Sequence, residues 1–451
     1  MGEEHSMRKK IIGILICMLF ISSSTSLAFT TLKRDEKNLD NSFFDKNPNP
    51  LLSSSGWMKT FGGEQKDYGY SVQQTTDGGY IITGETWSSA GGSGDVWLTK
   101  TDANGKMIWI RIYGGTESAD IGYSVQQTID GGYIVVGSTS SYGAGKEDVW
   151  LIKTDSDGNK VWDRTFGGAY ADSGHCVHQT NDGGYIITGY TYSFGAGWND
   201  VWLIKTDEFG NEIWDRTFGG TDKDVGYCLQ QTNDRGYIIT GYTSSFDAGN
   251  YSDVWLIKTD DIGNEVWNKT FGGTSLDAGY SVQQTNDGGY IITGETWSFG
   301  AGLDDVWLIK TDGTGDEVWN KTFGGSEWDA GISIQQTNDG GYIITGLTNS
   351  FGADGWNVWL IKTDNSGYEM WNRTFGGEDE DVGYCVQQTN DGGYIITGWT
   401  YVYVFFRDSD VLLIKTDSQG KSKSVTSSVN MWFERLFQRF PFMAKILNQI
   451  T

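Results

Sequence analysis

Between residues 57 and 417, short β-branched and aromatic runs alternate with breaks of Gly, Asp and Asn, and none of the runs has a helical period. Four runs recur in a fixed order: Gly69 to Thr75, Gly79 to Gly84, Asp200 to Asp207 in its fullest form, and Glu265 to Phe271. Each has the length and composition of a strand. Asp77-Gly78-Gly79 suits a tight hairpin between the first and second runs, because Asp and Gly tolerate positive φ. Asp102-Ala103-Asn104-Gly105 suits a slightly longer hairpin between the third and fourth. One copy departs, with Asp234-Arg235-Gly236 at the tight turn. The pattern predicts four antiparallel strands per unit.

The unit recurs seven times. Its fourth run, Trp-x-x-x-Phe/Tyr-Gly-Gly, begins at Trp57, Trp109, Trp162, Trp214, Trp267, Trp319 and Trp371, in steps of 52 or 53 residues. A four-stranded unit of this size is one blade of a β-propeller. The last unit supplies Gly383 to Thr389, Gly393 to Gly398 and Asp410 to Asp417, then stops without a tryptophan run. The missing run stands at the other end, Ser55 to Phe61. The expectation is an all-β, single closed seven-bladed propeller over residues 55–420, its last blade completed by the N-terminal strand. A β-solenoid is the alternative, and would need capping units that this sequence lacks. The repeated tryptophans serve first to join blades.

Those units resemble the tandem propeller repeats of secreted bacterial and archaeal surface proteins, whose blades read much like Phe-Gly-Gly-x-x-x-Asp-x-Gly-Tyr-Ser-Val-Gln-Gln-Thr. The resemblance covers about residues 56–417 and implies adhesion, scaffolding or binding at the cell exterior. A lesser resemblance is to the tryptophan-docking blades of quinone enzymes, here as Asp102-x-x-Gly105-x-x-x-Trp109, one residue shorter before the glycine. Those enzymes commonly use adjacent cysteines, which this chain lacks. The docking role carries over as an expectation; the cofactor does not.

Flanking segments suggest export. Met7 to Lys10 is basic, Ile11 to Ile21 apolar, and Ser26-Leu27-Ala28 a small-x-small site, so residues 1–28 read as a signal peptide and the chain as secreted or surface-attached. Residues 29–54 read as a flexible spacer, 421–429 as a linker and 430–451 as an amphipathic helical tail. The tail carries Arg435, Arg439 and Lys445 and is expected to dock on the apolar 401–406 loop or attach peripherally to a membrane. The formal charge is −25, from 58 acidic and 33 basic residues, which argues against nucleic acid as a partner. Cys176, Cys228 and Cys385 replace Ser71, Ser124, Ser281 or Ser333 in one slot, and read as packed core residues.

Candidate chemistry falls on the loops. Those entering the first strand carry a ring of carboxylates, Asp67, Asp120, Asp172, Asp224, Asp277, Asp329 and Asp381. They read as turn architecture, with calcium as the alternative because hard oxygen ligands suit it. Trp87, Tyr142, Trp198, Tyr251, Trp297 and Trp356, in the loops joining the second and third strands, are candidates for stacking on sugars or gripping a polypeptide. The competing reading has Phe194, Phe246, Phe299 and Phe351 filling the loop bases and the others incidental. His175 and His178 flank Cys176, but His175 and Cys176 lie on opposite sides of a strand, so no metal is assigned. Asn268, Asn320 and Asn372 have the form of N-glycosylation acceptors. No catalytic residue is nominated. The preferred function is an extracellular binding or scaffold module for an envelope glycan or a surface protein, without cofactor. A secreted polysaccharide lyase or glycoside hydrolase and a purely structural envelope protein are the alternatives.

Overall fold

In a computed structural model the described residues are 56–88, 93–116, 118–246, 251–377, 379–403 and 407–422. The chain divides into two units, Met1–Leu52 and Ser53–Thr451. The first lies outside the described residues, and with it the signal peptide and most of the spacer. The loop tip at 404–406 and the tail from 423 onward also lie outside them.

The second unit is a seven-bladed β-propeller. Seven four-stranded antiparallel sheets each run in the order inner, second, third, outer. In blade 1 these strands are Asp67–Gln74, Tyr80–Thr86, Asp95–Thr101 and Met107–Tyr113. Blades 2 to 6 repeat the plan from Asp120, Asp172, Asp224, Asp277 and Asp329. Blade 7 begins at Asp381, and its outer strand is Trp57–Phe61, paired antiparallel to the third strand from Trp57 opposite Lys415 to Phe61 opposite Val411.

The core lies between blades rather than within them. Second and third strands are almost wholly buried because each sheet has a neighbour on both faces. At one junction Ile134, Val136, Val149 and Leu151 of blade 2 meet Val177, Tyr185, Ile187 and Trp202 of blade 3. The outer-strand tryptophan crosses the same gap. Trp109 lies edge-on to Tyr133 of the next blade at 5.9 Å and covers Gly158 in that blade's outer hairpin. Trp57 does the same to Tyr80 at 5.9 Å, so the contact closes the ring between blades 7 and 1.

On the face bearing the hairpin turns, the third-strand lysine of every blade is buried and paired with the turn aspartate. Lys100 reaches Asp77 at 3.0 Å and the Thr101 carbonyl at 2.8 Å, and the arrangement recurs from Lys153–Asp130 to Lys415–Asp391. Burial alone would raise the Asp77 carboxyl. Donors from Thr75, Gly79 and Lys100 reverse this and hold it at about 2. Arg235 takes φ of 72° where the other blades have glycine.

Candidate functional site

Inner strands line a central channel, and a bulge in each one shapes its mouth. In all seven the pairing register slips across one residue, between Gly69 and Ser71 in blade 1 and between Gly174 and Cys176 in blade 3. A bulge re-aims the extra side chain. Here the bulged residues are Tyr70, Tyr123, His175, Tyr227, Tyr280, Ile332 and Tyr384. Five neighbouring pairs make ring contacts: Tyr70–Tyr384 at 5.2 Å, Tyr70–Tyr123 at 5.4 Å, Tyr123–His175 at 5.3 Å, His175–Tyr227 at 5.3 Å and Tyr227–Tyr280 at 5.2 Å. The result is an aromatic collar broken by Ile332. His175 Nδ1 donates to the Gly226 carbonyl at 3.0 Å, and burial lowers its pKa to about 4, so it is neutral at pH 7.

Below the collar the channel holds a cavity of about 230 Å³, lined by the Ser/Cys slot, the following aliphatic residue and a glutamine. Gln73 Oε1 accepts the Gln127 N–H of the next blade at 2.6 Å, and five other glutamines do the same around the ring. His178 stands in the remaining place.

Above the collar lies the rim. Second strands of blades 1 to 6 end Gly-x-Thr, and that of blade 7, Tyr394–Tyr403, carries the same triplet; x is Glu85, Ser138, Tyr190, Tyr242, Glu295, Leu347 or Trp399. These variable residues touch the collar or the strand beside it. Tyr190 meets His175 at 5.4 Å, Tyr242 meets Tyr227 at 6.0 Å, Trp399 meets Tyr68 at 5.8 Å, and Tyr280 donates its hydroxyl to Glu295 at 2.7 Å. Burial first, with the adjoining Asp304 and Asp277 carboxyls and against the Tyr280 hydroxyl, pushes Glu295 up to about 7. Burial, with the Asp224 carboxylate adding and the Ala196 N–H opposing, pushes Asp200 up to about 6.

The two faces therefore oppose each other in pH dependence. The depressed turn aspartates contribute stability above their unfolded pKa near 4, and that contribution is lost as pH falls toward about 2. Carboxyls with raised pKa contribute fully below about 4, and lose that contribution as pH rises through about 6 to 7. Calorimetric melting temperature is expected to peak at about pH 4 to 5 and fall on both sides. A plateau from pH 4 to 8 would mean that the rim carboxyls are not held up by burial.

The aspartate ring is occupied with loop bonds. Asp172 Oδ2 accepts Gly168 N at 2.9 Å and Ser193 Oγ at 2.6 Å, while Oδ1 accepts the Thr191 hydroxyl. Asp120 and Asp224 have the same partners in their blades. Asp67, Asp277 and Asp329 bond Gly63, Gly273 and Gly325 and a serine each, and Asp381 bonds Gly377. Among the described residues, no three or more His, Cys, Asp and Glu converge as a metal-holding group.

The six candidate aromatics do not form one set. Trp87 donates its indole N–H to Glu85 at 2.7 Å. Tyr142 packs on Trp150 at 5.3 Å, as Phe194, Phe246, Phe299 and Phe351 pack on their own third-strand tryptophans, so it fills a loop base. Trp198 is exposed, edge-on to Tyr192 at 6.3 Å, with Lys223 5.9 Å from its ring. Tyr251 is exposed. Trp297 and Trp356 are brought together by Trp328, at 6.4 Å from each. Asn268, Asn320 and Asn372 sit on outer strands, each donating to a nearby glutamate (Glu265, Glu317 and Glu369). The thiols of Cys176, Cys228 and Cys385 each contact a carbonyl of the next blade, of Leu229, Val282 and Val72.

Sequence reasoning missed the collar, the glutamine ties, the rim and Trp328. A usable signal was present for the rim: a column with five residue types in seven blades, while the Gly and Thr on either side never change.

No family model matches the chain. Over 206 residues, 38% of its length, it is 22% identical to the regulatory protein FlaEY of Caulobacter vibrioides, of which the match spans 22%. Among solved structures it is similar to Sqt1 of Chaetomium thermophilum, with TM-score 0.44, 11% identity and coverage of 76% of this chain and 81% of that one. It is also similar to the Pan2 WD40 domain of Neurospora crassa, with TM-score 0.44, 9% identity and coverage of 82% and 92%.

Proposed function

We propose that this protein is an exported binding module whose ligand, an envelope glycan or a surface protein, sits on the mouth of the channel. One observation carries the reading. Framework positions repeat from blade to blade, but the rim residue between an unchanging Gly and Thr differs around the ring: Glu, Ser, Tyr, Tyr, Glu, Leu, Trp. Structure alone asks for sameness at equivalent positions; recognition of an asymmetric ligand asks for difference. Aromatic residues lead outward from the collar, as in His175, Tyr190, Tyr192 and Trp198, and give a rigid surface for stacking. Hydrolytic chemistry is less well supported. Glu295 and Asp304 are in hydrogen-bond contact, closer than the roughly 5 Å a retaining glycosidase requires between its carboxyls.

Calorimetric titration with solubilised polysaccharide from the producing organism's envelope tests the glycan form. Saturable heat is expected, with affinity falling about tenfold when Tyr190 and Trp198 are both changed to Ala. Glu208→Ala, on the opposite face, should leave it unchanged. Binding that survives the double substitution places the ligand elsewhere.

A further inference from the structure

Blade 5 differs from the others at the rim. It alone sets an acidic residue at both the variable second-strand position, Glu295, and the position just before the third strand, Asp304. The two are next to each other by construction: in blade 1, where glycine stands in Asp304's place, a Cβ at Gly94 would run into Glu85 Oε1. The Asp304 and Glu295 carboxyls are in hydrogen-bond contact. Asp304 is 7% exposed, and its Oδ1 receives no donor among the described residues. No lysine or arginine among the described residues forms an ion pair with either carboxyl. A buried carboxyl, Asp304, against a half-buried one, Glu295, is costly without a cation, and the usual remedies are a shared proton or a charge supplied from outside.

Three indoles lie on the loops that flank this pair. Trp297 follows Glu295 by two residues on the same strand end. Trp328 precedes Asp329, whose N–H donates to the Asp304 carbonyl at 2.9 Å. Trp356 occupies in blade 6 the place Asp304 has in blade 5. Ring centroids run 6.4 Å from Trp297 to Trp328 and 6.4 Å from Trp328 to Trp356, with planes inclined at 46° and 34°. Trp297 and Trp328 are 45% and 41% exposed, so their ring faces are open to solvent. Indole faces attract cations, and a carboxyl pair between the same loops supplies the matching charge.

We propose that Trp297, Trp328 and Trp356 with Glu295 and Asp304 form a pocket for a basic side chain, an arginine or lysine, of a protein partner. This rests on the binding-module reading and selects its protein form. A neutral sugar would use the indoles but would leave the carboxyl pair without a countercharge.

Titration of tryptophan fluorescence with N-acetyl-arginine amide, at about 0.15 M salt to screen the chain's overall negative charge, tests it. Saturable change is expected, with the neutral isostere N-acetyl-citrulline amide about tenfold weaker. Trp328→Ala and Asp304→Asn should each weaken the arginine probe about tenfold, and Glu208→Ala, on the opposite face, should not. Circular dichroism of the variants confirms that the fold is retained. Affinity should also rise between pH 5 and 8 as the pair ionises. The groups facing Glu295 are Tyr280, Asp304 and Asp277; those facing Asp304 are Glu295, Asp305 and Asp329. Equal binding of arginine and citrulline probes, or binding indifferent to Trp328→Ala and Asp304→Asn, overturns the proposal. If the probe fails while the Tyr190/Trp198-dependent glycan titration succeeds, the cation pocket is wrong and the wider binding reading stands.

Discussion

Deleting the strand Trp57–Phe61 is expected to abolish the single cooperative unfolding transition and to produce self-association. The strand contributes the pairing from Trp57 opposite Lys415 to Phe61 opposite Val411. It also brings Trp57 onto Tyr80 and Phe61 onto Trp97, at 6.2 Å. Losing two half-buried aromatics and their neighbours costs at least about 5 kcal/mol, and it leaves the third strand of blade 7 as an unpaired edge. Calorimetry and light scattering of the shortened chain measure both effects. A monomer that melts within about 3 °C of the intact protein would show that blade 7 needs only three strands. Adding the strand back as a peptide should restore part of the lost stability, because an open sheet edge accepts a matching strand.

Gly189→Ala should be nearly as damaging, for a different reason. The inner-strand bulge that lifts His175 into the collar brings the Ser173 carbonyl against Gly189, and a Cβ there would overlap that oxygen. Backbone on both sides is held by ladder pairing, so neither strand can retreat cheaply. We expect a loss of about 3 kcal/mol and disruption of the His175–Tyr190 contact. Gly377→Ala is the matched control: among the described residues a Cβ there meets nothing within 4 Å, and the change should fall within about 0.5 kcal/mol. Equal behaviour of the two variants in thermal unfolding would mean the bulge is soft and the collar does not depend on it.

The contrast between these glycines shows where a sequence pattern stops being informative. Short β-branched and aromatic runs, turn residues and a 52-to-53-residue spacing mark every strand of the ring. The same pattern hides the bulge, because one extra residue inside Gly-Tyr-Ser-Val reads as ordinary alternation in a strand. Tyr70 and its equivalents therefore look like strand residues when they are the lining of the mouth. The lysines could be recognised as structural from their recurrence, yet their partners, 23 or 24 residues earlier at the opposite hairpin, appear only once the sheet is folded. Trp328 sits in an irregular loop, and only blade curvature brings it between Trp297 and Trp356.

By itself the sequence determined the number of blades, the strands in each and the way the ring closes, because those follow from local periodicity repeated along the chain. Tertiary structure decided which face gathers unlike residues and which carboxyls share a site. The rim gathers residues from different blades, so closure of the ring sets the distances between them, while Glu295 and Asp304 meet across the loop that joins the second and third strands of one blade.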